Sequence, residues 1–221
     1  MTKKVFVVLV FAVVLAAFVN PALWAQSEPR TAQGFLDRGM DYWKNGDWDR
    51  AIADFSRAIS MNPANAPFIA YAVRGDAYIE KRDFHSAIAD FTEAMRREPD
   101  AQSYAQAYSR RGYAYKEIGD YDRAIADYTR SIQLRPNDVY AYIERAQAYL
   151  DKKDFNQAIA DFTQSIRLDP KVIAYLERGL AYMGNRDYDR AVADFEAVLR
   201  INPNHDQAKQ WLDSAKKARG R

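Results

Sequence analysis

The residues with the strongest claim to chemistry are five arginine–aspartate pairs, each 16 positions apart: Arg38/Asp54, Arg74/Asp90, Arg111/Asp127, Arg145/Asp161 and Arg178/Asp194. A carboxylate can serve as general acid, general base or metal ligand. Five copies at one spacing argue instead for a structural duty carried out five times. Two antiparallel helices joined by a short turn would bring each pair together as a partly buried ion pair, so the aspartates are poor catalytic candidates. Cysteine is absent, which excludes thiol chemistry, CxxC redox and cysteine-bound zinc. The two histidines, His85 and His205, leave little for a catalytic dyad or a metal site. No glycine-rich phosphate loop, HExxH or GxSxG motif is present. These observations point to a non-enzymatic protein without cofactor or metal.

Charge narrows the partners. The 32 lysines and arginines face 30 aspartates and glutamates, and the small excess comes from Lys3 and Lys4. A balanced chain is not expected to bind nucleic acid. After the basic start Met1–Lys4, residues Val5–Val19 form a run of 15 uncharged apolar residues that ends at Asn20-Pro21. A membrane-spanning helix needs roughly 20 such residues, so the run suits the core of a secretory signal. Cleavage is expected after Ala25, with Leu23 at the −3 position, and residues 26–31 read as a linker. The mature protein would then work in the periplasm or be secreted, with no membrane contact. The alternative is an uncleaved anchor, which would make the chain a membrane-held assembly factor.

The elements that position the paired charges emerge from self-similarity. AIADF occurs at Ala51–Phe55, Ala87–Phe91 and Ala158–Phe162, AIADY at Ala124–Tyr128 and AVADF at Ala191–Phe195. Steps of 36, 37, 34 and 33 residues separate their aspartates, and Pro63, Pro99, Pro136, Pro170 and Pro203 follow in register. Upstream stand RGMDY (Arg38–Tyr42), RGDAY (Arg74–Tyr78), RGYAY (Arg111–Tyr115), RAQAY (Arg145–Tyr149) and RGLAY (Arg178–Tyr182). Each copy reads as two helices, because aromatic, small and Tyr positions recur at i, i+4 and i+7. Asp47, Asp83, Asp120, Asp154 and Asp187 are natural N-caps for the second helix, and the proline ends it. Gly39, Gly75, Gly112 and Gly179 cost about 1 kcal/mol each in helix propensity. They are tolerable where a neighbouring helix approaches too closely for a side chain.

With these motifs the chain resembles a tetratricopeptide repeat (TPR) protein over almost all of its length after residue 31. The resemblance implies an all-α solenoid of antiparallel helix pairs wound as a right-handed superhelix. The copies fall at 32–65, 68–101, 105–138, 139–172 and 172–205, with a capping helix and basic tail at 206–221. Phe35, Tyr71, Tyr108, Tyr142 and Tyr175 replace the family's early Trp, and Arg replaces the usual Leu before the glycine. Ala146 stands for the glycine of copy four. Extra residues lengthen the second and third junctions. In the cap, Ala208, Trp211, Leu212 and Ala215 make an apolar stripe expected to face the last repeat.

The resemblance also implies a function. Family members usually bind peptides or protein segments on the concave side lined by the first helices. The partner-binding positions expected here are Trp43, Asp76, Ile79, Tyr113, Tyr140, Ile143, Gln147, Leu150, Ile173, Leu176, Leu180 and Met183. The Lys and Asn clamp by which some members grip carboxylate tails is absent, since its places hold Leu36/Met40, Ala72/Asp76 and Ser109/Tyr113. The expected partner is therefore an apolar or cationic protein segment. The apolar cluster in copies four and five has two readings: a hydrophobic groove, or packing between repeats or in a homo-oligomer. A glycan or polymer carrier that uses tyrosines as stacking surfaces is the alternative function.

Overall fold

Aspartate opens the second helix of every copy, and in four copies that helix stops two residues before the proline, as the spacing predicts; in copy two it stops earlier, at Ala94. The computed structural model describes residues 29–97 and 100–220. Among these residues it contains eleven α-helices, one 3-10 turn and no strand. They are α1 (Ala32–Lys44), α2 (Trp48–Met61), α3 (Phe68–Glu80), α4 (Phe84–Ala94), α5 (Ala101–Glu117), α6 (Tyr121–Leu134), α7 (Val139–Asp151), α8 (Phe155–Leu168), α9 (Val172–Gly184), α10 (Tyr188–Ile201) and α11 (Asp206–Arg219). The 3-10 turn spans Pro63–Asn65. The apolar run and its expected cleavage site lie outside the described residues. Among the described residues no helix is long and apolar enough to cross a membrane.

Two compact units divide the chain, one ending at Asn65 and one beginning at Ala66. The first holds the pair α1–α2. In the second, α3–α4, α5–α6, α7–α8 and α9–α10 are antiparallel pairs, and α11 packs on α10. Within this unit each first helix touches the first helix of the next pair more than the second helices touch one another. The first-helix side is thus the inner side of the unit's curve.

Each hairpin turns in the same way. Gly46, Arg82, Gly119, Lys153 and Arg186 adopt a left-handed backbone with φ between 59° and 79°. The next residue is always the aspartate N-cap, whose carboxylate accepts from the backbone N–H three residues on, as in Asp120 and Arg123 at 3.2 Å. The capping aspartates keep to this role. Behind the turn, an alanine and an aromatic ring one turn apart fill the space between the two helices. Ala51/Phe55, Ala87/Phe91, Ala124/Tyr128, Ala158/Phe162 and Ala191/Phe195 are all essentially sealed from solvent. The expected close approach at glycine is present. A Cβ built on Gly179 would stand 2.6 Å from the ring of Phe195, and one on Gly39 would stand 2.6 Å from Phe55.

All five arginine–aspartate pairs form, each as a two-pronged bridge. Arg111 donates Nε to Asp127 Oδ2 at 2.7 Å and Nη2 to Oδ1 at 2.8 Å, and the other four match it within 0.1 Å. The third donor reaches into the preceding pair. Arg111, Arg145 and Arg178 donate Nη1 to Thr92, Thr129 and Thr163 at 2.9–3.0 Å. Those hydroxyls in turn donate to the carbonyls of Ile88, Ile125 and Ile159 at 2.7 Å. Tyrosines flank the guanidinium, with the Tyr108 and Tyr115 rings 5.7 and 5.8 Å from that of Arg111. Arg111, Arg145 and Arg178 therefore each stitch their own hairpin and the joint behind it. Burial works against these charges, yet the paired aspartate keeps the Arg111, Arg145 and Arg178 guanidinium groups above their ordinary range.

The far end shows how the ladder stops. In register with α9, α11 places Leu212 where Arg178 stands and Asp213 where Gly179 stands. No second helix follows, so an arginine would lack its aspartate and a glycine would have no ring to admit. Leu212 joins the core with Ala208 and Ala215. Trp211, expected in that stripe, is 36% exposed instead. Only three apolar side chains fit the face that α10 offers. The extra residues before copy three join the helix: Asp100 caps α5, which starts four residues ahead of the copy boundary and so gains a turn, and Tyr104 donates its hydroxyl to the Met95 carbonyl at 3.0 Å.

Candidate partner-binding face

In the second unit the first helices α3, α5, α7 and α9 leave one side uncovered. The residues at its edge are the most exposed large apolar groups of these helices: Ile69 at 50%, Tyr140 at 64% and Ile173 at 42%. Each is the second residue of its helix, where the chain has just turned. Tyr140 is held by Lys171, which donates to its hydroxyl at 2.8 Å with the ammonium 4.3 Å from the ring centre.

Two turns further in, the register position after the glycine (after Ala146 in α7) carries Asp76, Tyr113, Gln147 and Leu180, all half-buried. Asp76 is bridged by Arg110 Nε of the next first helix at 2.9 Å. Burial raises its carboxyl to about 6, with Glu80 adding to the rise and Arg110 opposing it. Tyr113 sets its ring edge-on to Phe84 at 6.3 Å, and Lys116 Nζ lies 5.3 Å from the same ring. Lys116 donates to Glu144 at 2.7 Å and to Gln147 at 3.2 Å. Beneath them, Tyr128 is the one second-helix core ring with a hydroxyl, and that hydroxyl donates to Glu144 at 3.4 Å. Lys116, Glu144, Gln147 and Tyr128 thus link α5, α6 and α7 in one polar network.

The expected partner-binding residues divide by burial. Asp76, Tyr113, Gln147, Tyr140 and Ile173 lie on the open side, with Leu150, Leu180 and Met183 half-buried at its margin. Ile79, Ile143 and Leu176 do not. They are 8%, 5% and 5% exposed and belong to the core. An apolar residue at these positions rolls toward the adjoining pair, because a half-buried helix hides a stripe wider than 100°. Leu176 and Leu180 are therefore not twin surface groups. Trp43 belongs to the first unit, half-buried against Trp48 with ring centres 6.0 Å apart, and its buried indole N–H has no hydrogen-bond partner among the described residues.

The sequence reading missed the residue just before each ladder arginine: Arg110, Glu144 and Glu177. These line the clefts between first helices. Their signal is that the neighbouring arginine recurs in every copy while they change from Val73 to Arg110 to Glu. Glu177 shares a cleft with Asp151, Gln147 and Leu150, and burial together with Asp151 raises its carboxyl. On this side the first helices carry six carboxylates, Asp76, Glu80, Glu117, Glu144, Asp151 and Glu177, against Arg110 and Lys116. Both cations are already bound to carboxylates of adjacent helices. Arg82, in the α3–α4 turn, lies 3.6 Å from Glu117. Among the described residues no group of three or more His, Asp or Glu is placed to hold a metal ion.

Family models described as tetratricopeptide repeat match residues 32–65, 69–100, 105–138 and 143–206. A search of curated proteins gave no match. Among solved structures the chain is similar to MamA, with 25% identity and a TM-score of 0.71 over 80% of this chain and 94% of that one. It is also similar in fold to a tetratricopeptide repeat protein from Parabacteroides merdae, with 18% identity and a TM-score of 0.76 over 87% and 75% of the two chains. YrrB, described as a TPR protein with an unusual peptide-binding site, matches at 18% identity and a TM-score of 0.70 over 81% and 90%. Helix pairs, capped turns, glycine–ring contacts and matched residues together place the chain in the tetratricopeptide repeat family.

Proposed function

We propose that this chain is a non-enzymatic scaffold that works outside the cytoplasm and holds a segment of a partner protein against its first helices. One observation carries this reading. The side of the first helices that faces the second helices repeats from copy to copy, while the open side changes at every copy and is indented by clefts lined with charged and aromatic groups. Packing accounts for the repeated side. On the open side, half-buried Glu177 stands beside Asp151 with no cation paired to it among the described residues, and buried charge is costly unless it is used or paired. The 15-residue apolar run supports export.

A photo-crosslinking amino acid placed at Tyr113 or Gln147, in cells that make the protein naturally, tests the face directly. Protein adducts are expected from these two sites and not from Arg130 or Ala160 on the second helices. Equal labelling from both sets, or none from Tyr113 and Gln147, overturns the reading. Sequencing the mature N-terminus checks the location, with Gln26 expected first; Met1 retained in a membrane fraction would contradict it.

A further inference from the structure

The open side of the second unit carries two features with different chemistry. Between α3 and α5 lies an apolar slot of about 130 Å³ lined by Phe68, Ile69, Ala72, Val73, Phe91 and Ala107, with the Asp76–Arg110 bridge at its margin. A cavity of about 150 Å³ admits benzene, so the slot suits one aliphatic or aromatic side chain. Between α5, α7 and α9 lies the second feature, a polar cleft with Glu117, Gln147, Asp151 and Glu177 on its walls. Its lysine, Lys116, is committed to Glu144 and Gln147. No cation pairs with Asp151 or Glu177 among the described residues.

We propose that the segment held on this face is extended and basic, with an apolar side chain in the slot and Lys or Arg side chains in the cleft. The inference rests on the scaffold reading above and adds the chemistry of the occupant. Charge complementarity selects it. An acidic segment would meet six carboxylates whose neighbouring cations, Arg82, Arg110 and Lys116, are already engaged, and a neutral one would leave Asp151 and Glu177 facing each other. An arginine supplies donors to both carboxylates at once. Geometry sets the length. Neighbouring first helices stand about 10 Å apart, which puts the slot about 15–20 Å from the cleft. Five or six extended residues at about 3.3 Å each span that distance.

Fluorescence anisotropy with the full chain and three end-blocked, labelled 12-residue peptides tests the proposal. One peptide carries a leucine and, five and six residues on, two arginines; the others have glutamine or glutamate in place of the arginines. The arginine peptide is expected to bind about tenfold more tightly than the glutamine one and to lose that advantage as salt is raised. The exposed-side double change Glu177→Gln/Asp151→Asn is expected to remove the advantage, while Ala72→Phe, which fills the slot, weakens both peptides alike. Equal binding of the arginine and glutamine peptides overturns the inference, as does an advantage that survives Glu177→Gln/Asp151→Asn. If the glutamine or glutamate peptide binds as well and Tyr113→Asp abolishes it, the basic chemistry fails and the scaffold reading stands. If none of the three binds, the inference falls, and the crosslinking result decides the scaffold reading by itself.

Discussion

On the side turned toward the second helices, α3, α5, α7 and α9 carry nearly the same groups: an arginine, then glycine or Ala146, then a tyrosine three further on. On the side turned away, one register position reads Asp76, Tyr113, Gln147 and Leu180. The first side solves the same problem in each copy. A ring such as Phe195 must enter where Gly179 leaves room, and an arginine must join its aspartate to the threonine behind it. The second side meets solvent and is freed from that constraint, so its chemistry can follow a partner. Repetition here marks structure, and departure from repetition marks the side that the proposed scaffold function assigns to a partner.

The largest effect that could break this contrast comes from the ladder. Arg111→Leu strands the Asp127 carboxylate, 8% exposed, and leaves Thr92 without its donor. It should cost about 3–5 kcal/mol, and Arg111→Leu/Asp127→Leu should recover much of that loss. Urea unfolding checks it; equal losses in the two variants would mean that the buried charge is not the cost. Next comes Leu176, which shares a helix with Ile173 but not a side. Leu176→Ala should cost about 2–4 kcal/mol and Ile173→Ala about 0.5 kcal/mol or less. Thermal denaturation of the two variants tests the boundary between packing and open side, and similar midpoints would erase it.

Asp76 sharpens the contrast through pH. Burial pushes its folded carboxyl up to about 6, above the ordinary 3.8, so the folded state holds this proton more tightly than the unfolded state does. Stability contributed by Asp76 is therefore greatest below pH 4, falls as pH rises to about 6 and is level above that. The change is on the order of 2–3 kcal/mol at about 1.4 kcal/mol per pH unit. Relative to the native chain, Asp76→Asn should gain by that amount between pH 4 and pH 7, and a flat difference in urea titrations would contradict it. Smaller than the changes at Arg111, Leu176 and Asp76 is the effect expected of Gly179→Ala. The added Cβ must displace a sealed phenylalanine, which costs about 1–3 kcal/mol, against about 1 kcal/mol gained in helix propensity. A net loss of up to about 2 kcal/mol is expected from chemical denaturation. A gain would show that Phe195 yields as readily as its counterpart does opposite Ala146.

Much of this architecture was legible in advance because its causes are local or periodic. The 16-residue spacing of arginine and aspartate sufficed to foresee the bridges, since a helical hairpin of fixed length brings the same two positions together every time. Aspartate caps and proline stops act within one turn of helix and needed no tertiary information. The sequence by itself thus determined the helix pairs and their internal pairing of charge. Tertiary structure decided what those elements present to the outside. Whether an apolar residue such as Leu176 or Ile173 ends in the core or in solvent depends on where the adjoining pair lands, which no single helix specifies. The third ladder bond to threonine, the rotation of Trp211 away from the cap's core and the meeting of Glu177 with Asp151 all arise between pairs. They depend on the angle at which one hairpin stacks on the next, a quantity set by the sum of many contacts rather than by any spacing along the chain.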